Sequence, residues 1–443
     1  MSAGSLHPSA WSRRTVIAVS AITAVVGAML GIGVAMLITG SADHGSAATP
    51  TAPTTTSGSP SPSAPPSPTP TAAPPTVDFT VVAAGDILTH MPVIWSAQTD
   101  AGLDFTPLLS PLRPYVEGAD LALCHLEFPV DTSGNYTGYP MFGGPAEMIT
   151  DLRGEGWDGC STASNHSVDR GYSGVEATIA ALDAEGMGFA GTARTEAESL
   201  VPQMYSVTTQ GRTLTVASIS ATYGLNGLPQ PDGKPWAVTT FDADSADATP
   251  IIDAARSARE LGADIVIAST HCCVEYQVAP TDAQRAIVEA IAASGTVDLY
   301  VGHHAHVPQP IELIEGGPSG QGMWAAFGLG NFLSNQDEAC CGIATGVGVL
   351  LSATFSVPPE GPATVDVAWT ATTVDRRDSH TMHALRDIMS TGTDTLTTAQ
   401  VQERWQVVAD AVGPQAPELS EPVVALADDV TVVPRTPSSQ QDN

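Results

Sequence analysis

Seven of the eleven histidines in this 443-residue chain fall in five short segments, four of which also hold a carboxylate or a carboxamide. GDILTH (85–90) holds Asp86 and His90, HLE (125–127) holds His125 and Glu127, and SNHSVDRG (164–171) holds Asn165 and His166. HCCVEY (271–276) supplies His271 and Glu275, GHHAH (302–306) supplies His303, His304 and His306, and Asn331 follows in GLGNFLSNQ (328–336). Borderline divalent cations accept imidazole, carboxylate and carbonyl oxygen in one shell. A carboxylate can bridge two such ions, and a pair roughly 3.5–4 Å apart polarises phosphoryl or carbonyl groups and acidifies bound water. Asp86 and Glu127 have the chemistry of anionic ligands, and Asn165 that of a neutral oxygen ligand beside a proton donor, His166. If extended, His304-Ala-His306 puts two imidazoles on one face, because alternate strand residues share a face. Taken singly, these segments could be turns or surface histidines. Their sorting is what argues for chemistry.

The sorting appears once the flanking elements are read. Apolar, β-rich runs at 78–87, 121–127, 157–164, 263–270, 298–304 and 323–330 alternate with helical patterns around 106–117, 145–154, 173–187, 249–261 and 281–294. Alternation of this kind predicts an α/β fold with buried sheet strands. Hairpin-like pairs at 201–208 with 213–222, and 346–357 with 363–374, make the sheets mixed. Each candidate polar residue then lies just past the C-terminal end of a strand, the edge where open α/β sheets bind ligands.

Charge excludes one class of partner. The chain has 16 Lys+Arg against 47 Asp+Glu, a net charge of −31, and its single lysine is Lys234. Nucleic-acid binding draws on clustered basic side chains, so no nucleic-acid partner is expected. Residues 15–40 carry no charge. As a helix they would extend about 39 Å, enough to span a bilayer. Arg13 and Arg14 precede this run and the first acid, Asp43, follows it, which places residues 1–14 in the cytoplasm and the rest outside. The expectation is a single-pass signal-anchor in the cell membrane with an extracytoplasmic C-terminal domain. A cleaved signal peptide ending near Gly40-Ser41-Ala42 is the alternative. Residues 41–76 are rich in Ser, Thr and Pro and read as a stalk. The folded domain is expected over 77–376, a helical extension over 377–412 with its helix at about 398–411, and a disordered acidic tail over 413–443.

Six cysteines in an exported domain suit disulfides. Two vicinal pairs, Cys272-Cys273 and Cys340-Cys341, each follow a candidate site segment. A bridge between these two loops is expected, with Cys124 and Cys160 left as buried thiols.

In order and content, the six segments resemble the motifs of the CapA family of capsule and poly-γ-glutamate synthesis proteins, over about 78–375. That resemblance implies a four-layer α/β/β/α sandwich of the metallophosphatase type, with a dinuclear centre for two divalent ions (Mn, Zn or Fe) at one sheet edge. By position, it implies Asp86 on the first ion, Glu127 bridging, Asn165 and His271 on the second, and His304 and His306 completing the set. His166 becomes the general acid. His303 and Glu275 orient ligands or substrate, Asn331 lines the rim, and His90 and His125 support the centre. Two departures stand out: His125 replaces the family's usual Asn, and Cys272-Cys273 replace Trp-Gly after His271. The implied role is synthesis, export or attachment of an anionic envelope polymer. A metal-dependent hydrolase of phosphoesters or γ-glutamyl amides is the alternative, and a stalked, non-catalytic binding module the third class.

Overall fold

The structure is a computed structural model that describes residues 75–435. The expected membrane segment and the stalk up to residue 74 lie outside the described residues. Among the described residues, no helix is long and apolar enough to cross a membrane.

The first strands are β1 Val77–Ile87, β2 Gln98–Thr99, β3 Gly102–Leu103, β4 Leu121–Leu126, β5 Gly159–Ser161 and β6 Gly188–Ala190. Next come β7 Gln203–Thr209, β8 Arg212–Thr222, β9 Ile265–His271, β10 Leu299–His303, β11 Ile311–Ile314 and β12 Met323–Ala326. The last are β13 Asn331–Leu333, β14 Val347–Val357, β15 Thr364–Asp375, β16 Thr381–Ala384 and β17 Asp429–Val433. One sheet runs β16-β15-β14-β1-β4-β5-β6, with β13 also pairing β1; the other runs β11-β12-β10-β9-β8-β7-β17. Both are mixed. β1, β4, β5 and β6 are parallel, as are β8, β9, β10 and β12, while the outer partners are antiparallel.

Strand alternation explains how the sheets stack. Val81 and Ala83 of β1 join an apolar cluster with Val216 of β8, Ile267 of β9 and Val301 of β10, so that cluster fills the space between the sheets. Val82 and Ala84 point the other way, into a cluster with Ile149 and Leu152 of the helix Glu147–Gly154 and Val175 and Ile179 of the helix Gly171–Ala184. Ala217 and Ile219 of β8 do the same on the second sheet's outer face, against the helices Thr249–Glu260 and Asp282–Ala293. Helices thus cover both outer faces of two stacked sheets.

The helical pattern at 106–117 is broken into Thr106–Leu109, a 3₁₀ turn Ser110–Leu112, and Arg113–Glu117. Pro111 and Pro114 account for the two breaks, since each lacks an N–H and crowds the preceding turn. The helix Thr398–Val412 opens with a capping box of Thr397 and Gln400, and sends Val401, Val408 and Val412 into the core between the sheets.

Two expectations are corrected here. A disordered tail from 413 does not describe the chain through 435, because β17 pairs antiparallel with β7. Asp120 accepts the amides of Leu426 (2.7 Å) and Ala427 (2.6 Å), and Arg435 donates to the carbonyls of Thr192, Glu198 and Val201, each at 2.8 Å. Val430 and Val432 alternate along β17 and pack on the core between the sheets, which an acidic, Pro-rich composition concealed. The expected bridge between the 271–276 and 337–342 loops is also absent. The pairs are Cys124–Cys160, Cys272–Cys273 and Cys340–Cys341. Cys124 and Cys160 sit opposite each other on the neighbouring strands β4 and β5, so sheet register joins them across 36 residues.

Candidate metal centre

Parallel strands from the two facing sheets end together, and the candidate residues sit at those ends. Asp86 of β1 is in register with His125 of β4, and His303 of β10 with His271 of β9. Glycine permits the approach. A Cβ at Gly85 would collide with the Gly330 carbonyl, and one at Gly302 with the Phe327 carbonyl. Each glycine directly precedes a site residue, which is the physical content of Gly-Asp and Gly-His here. His304 and His306 are not extended: their φ values of 82° and 56° put both in the left-handed region. That correction matters, since residues held there are strained and must be over-determined by their surroundings.

Asp86 is fully buried and accepts from His303 Nδ1 (3.1 Å) and the His304 amide (3.2 Å), with His306 Nδ1 at 3.0 Å. Burial alone would raise its carboxyl, but the contacts with His303 and His306 outweigh that and hold it below the usual carboxylate range. His125 contacts Ser161 Oγ at 2.7 Å and His271 Nδ1 at 2.9 Å, and its ring stacks on His303 with centroids 3.9 Å apart. His271 Nε2 lies 3.1 Å from Asn165 Oδ1 and 3.4 Å from Glu127 Oε1. His306 reaches Asn331 Oδ1 at 3.1 Å, and its Nε2 lies 3.6 Å from Glu127 Oε1. Burial holds the His125 and His271 rings well below the ordinary imidazole range and His304 at about 3, so all three are neutral at pH 7, the form that ligates metals.

Glu127 is the centre of this arrangement. It is fully buried, and neither carboxylate oxygen has a hydrogen-bond partner. Burial pushes its carboxyl well above the usual range. The ligand atoms of Asp86, His125, Glu127 and His271 lie within 4.8 Å of one another, and so do those of Glu127, His304 and His306. Glu127 is common to both groups. His304 Nδ1 is also buried without a partner. An unpaired buried carboxylate costs several kcal/mol or more, a penalty a bound cation would remove. The donor set of carboxylate, imidazole and amide oxygen therefore fits divalent metal.

His166 sits beside this cluster rather than in it. Its Nδ1 contacts Asp169 Oδ2 at 2.6 Å, Phe142 packs edge-on at 4.7 Å, and Asn226 Nδ2 lies within 3.4 Å. His90 is adjacent, with its ring against Phe142 and its Nδ1 3.4 Å from the Asn335 amide. Burial lowers it to about 3. Glu275 is exposed and falls outside both ligand groups, although its charge is felt at His306 and Glu127. Three neighbours escaped sequence reasoning: Asp169, Asn226 and Tyr223, whose ring lies 4.7 Å from His304. Asp169 was legible three residues after His166 in the same segment. Tyr223 and Asn226 lie in the loop after β8, without any spacing signal.

All six motif segments fall within residues 80–336, and this stretch matches the family described as "Bacterial capsule synthesis protein PGA_cap". The chain belongs to that family. As a PGA_cap member, it is 26% identical to the PGA biosynthesis protein CapA of Bacillus subtilis (strain 168) over 196 residues, 43% of this chain and 46% of that one. It is likewise 26% identical to the capsule biosynthesis protein CapA of Bacillus anthracis over 235 residues, 51% of this chain and 53% of the relative. The chain thus spans about half the length of the curated relatives it matches. Among solved structures, the calcineurin-like phosphoesterase YfkN from Bacillus subtilis aligns with a TM-score of 0.40 at 14% identity, covering 75% of this chain and 98% of that one.

Proposed function

We propose that this protein is a membrane-anchored, extracytoplasmic component of the synthesis, export or attachment of a poly-γ-glutamate-type capsule polymer, and that its domain works through a pair of divalent metal ions. The observation that carries the metal reading is Glu127, a fully buried carboxylate with no donor on either oxygen, shared by two groups of ligand atoms. Asp86, Glu127, Asn165, His271, His304 and His306 would hold the ions, and His125 is close enough to join them. Ions bound there supply Lewis acidity and lower the pKa of bound water. The polymer reading rests on family membership and on the relatives named for capsule and PGA biosynthesis. Anchoring rests on the uncharged run at residues 15–40 and its flanking charges.

A second reading, a metal-dependent hydrolase of phosphoesters or γ-glutamyl amides, is favoured by His166 and Asp169. The carboxylate fixes the ring through Nδ1, leaving Nε2 as the position for a proton delivered to a leaving group. Elemental analysis of the purified full chain tests both readings, followed by turnover assays on p-nitrophenyl phosphate and poly-γ-glutamate. Close to two equivalents of transition metal with turnover establishes the hydrolase, and metal without turnover establishes a binding or assembly role. Failure to take up metal on reconstitution overturns the metal centre. Restored surface polymer in an encapsulated bacterium lacking its own CapA, by the native chain but not His304→Ala, tests the capsule role directly.

A further inference from the structure

A carboxylate-bearing polymer needs a cation at the site, and the described residues offer few. Ten arginines are paired with Asp or Glu: 113, 153, 170, 194, 256, 259, 285, 376, 386 and 404. Arg212 and Arg435 donate to main-chain carbonyls. Among the described residues this leaves Arg377 and Lys234, whose side chains meet neither an acid nor a carbonyl.

Their surroundings differ. Arg377 projects from an exposed turn. Lys234, the one lysine of the chain, is half-buried and lines a groove of about 410 Å³ together with Val168, Gly171, Tyr172, Leu228 and Asp232. Val168 and Gly171 belong to the segment that carries His166 and Asp169. Across the groove, the loop of Leu228 also presents Asn226, whose Nδ2 contacts Asp169 Oδ1 at 3.2 Å. The groove therefore adjoins the candidate centre. Lys234 Nζ lies 4.4 Å from the centre of the Tyr172 ring. A contact with a ring face holds the ammonium in place while leaving its N–H donors available to an oxygen acceptor.

We infer that Lys234 is the carboxylate anchor for the polymer, gripping a pendant α-carboxylate of a γ-linked glutamate strand that runs along this groove to the metal centre. The inference rests on the capsule-polymer reading above and adds a specificity-determining residue to it. In a protein of net charge −31, one positioned ammonium beside the site gives the strand a register that a diffuse basic surface would not.

The test uses the full chain reconstituted with Mn²⁺ and a fluorescent γ-linked glutamate decamer, read by anisotropy, with the γ-linked isoglutamine decamer, whose pendant groups are α-carboxamides, as the uncharged comparison. Loss of a charge-assisted hydrogen bond weakens binding about tenfold or more, so Lys234→Gln should show that loss for the glutamate decamer and none for the isoglutamine decamer. Lys234→Arg should retain most of the affinity, and Arg377→Gln all of it. Native affinity in Lys234→Gln, or an equal loss in Arg377→Gln, overturns the anchor and leaves the proposed function standing. A native, metal-loaded chain that binds neither decamer overturns the polymer reading and the anchor together.

Discussion

Two clusters of acid and imidazole look alike on composition and are opposites in chemistry. Ligand atoms of Asp375, Asp378 and His383 approach within 4.8 Å of one another, as they do around Glu127. Asp375, however, is filled. Its Oδ1 accepts the amides of Arg377 and Asp378, and its Oδ2 accepts the hydroxyls of Thr393 and Thr395. Asp378 is exposed to water. Glu127 has no donor on either oxygen and no access to solvent. Crowding of titratable groups is therefore a poor marker of a metal site. The informative quantity is buried hydrogen-bonding capacity that the protein itself leaves unmet.

That contrast can be broken most directly at Glu127. Glu127→Gln should reduce metal content to background, while the metal-free variant should match the metal-free native chain in stability to within about 1 kcal/mol, since burial already favours the neutral form of the carboxyl. Elemental analysis and calorimetry on the same preparation read both effects, and a metal-free variant destabilised by more than that would contradict the assignment. His304→Ala should weaken metal binding by at least about 100-fold, because even outer-shell partners of metal ligands are worth 10–100-fold. Its circular dichroism should be unchanged, and native metal content would remove His304 from the ligand set.

Asp375→Asn sharpens the other side. It should cost about 1–3 kcal/mol in denaturant unfolding with metal content intact, as expected for a carboxylate that organises a turn. Metal loss in this variant would erase the distinction. The smallest effect belongs to His380, which contacts Ser96 Oγ at 2.7 Å and Asn335 Oδ1 at 2.9 Å. Burial lowers its pKa to about 4 from an ordinary 6.5. Between those values the unfolded chain binds the proton more readily, so the stability contribution is full above about pH 6.5 and is lost as pH falls toward 4. Unfolding curves of His380→Gln should be flatter over that window by on the order of 1 kcal/mol; an identical slope would show that His380 does not titrate with unfolding.

Much of the site was readable before folding was considered. Asp86, His125, His271 and His303 end predicted strands, and strand ends are legible as the point where an apolar run stops. Roles were less so. Glu275 reads like its neighbours in sequence but is exposed, because the chain turns outward after Cys272. His304 and His306 converge through left-handed backbone rather than strand alternation. Asn226 reaches Asp169 from a loop 57 residues away in sequence, a contact no local pattern encodes.

The local chemistry belongs to the sequence: six motifs in order, apolar runs of strand length, prolines that break one helix into three pieces, and a strong acid excess. These follow from short-range sterics, hydrophobic periodicity and charge, which need no partner to be defined. The disulfide pairing, the addition of β17 to the sheet, and the burial of Glu127 without a hydrogen bond on either oxygen were decided by tertiary structure. Each depends on which distant backbone lies alongside. Register brought Cys124 to Cys160, the β7 edge ordered a tail of disordered composition, and closure of two sheets over one carboxyl created the unmet hydrogen-bonding capacity on which the metal centre rests.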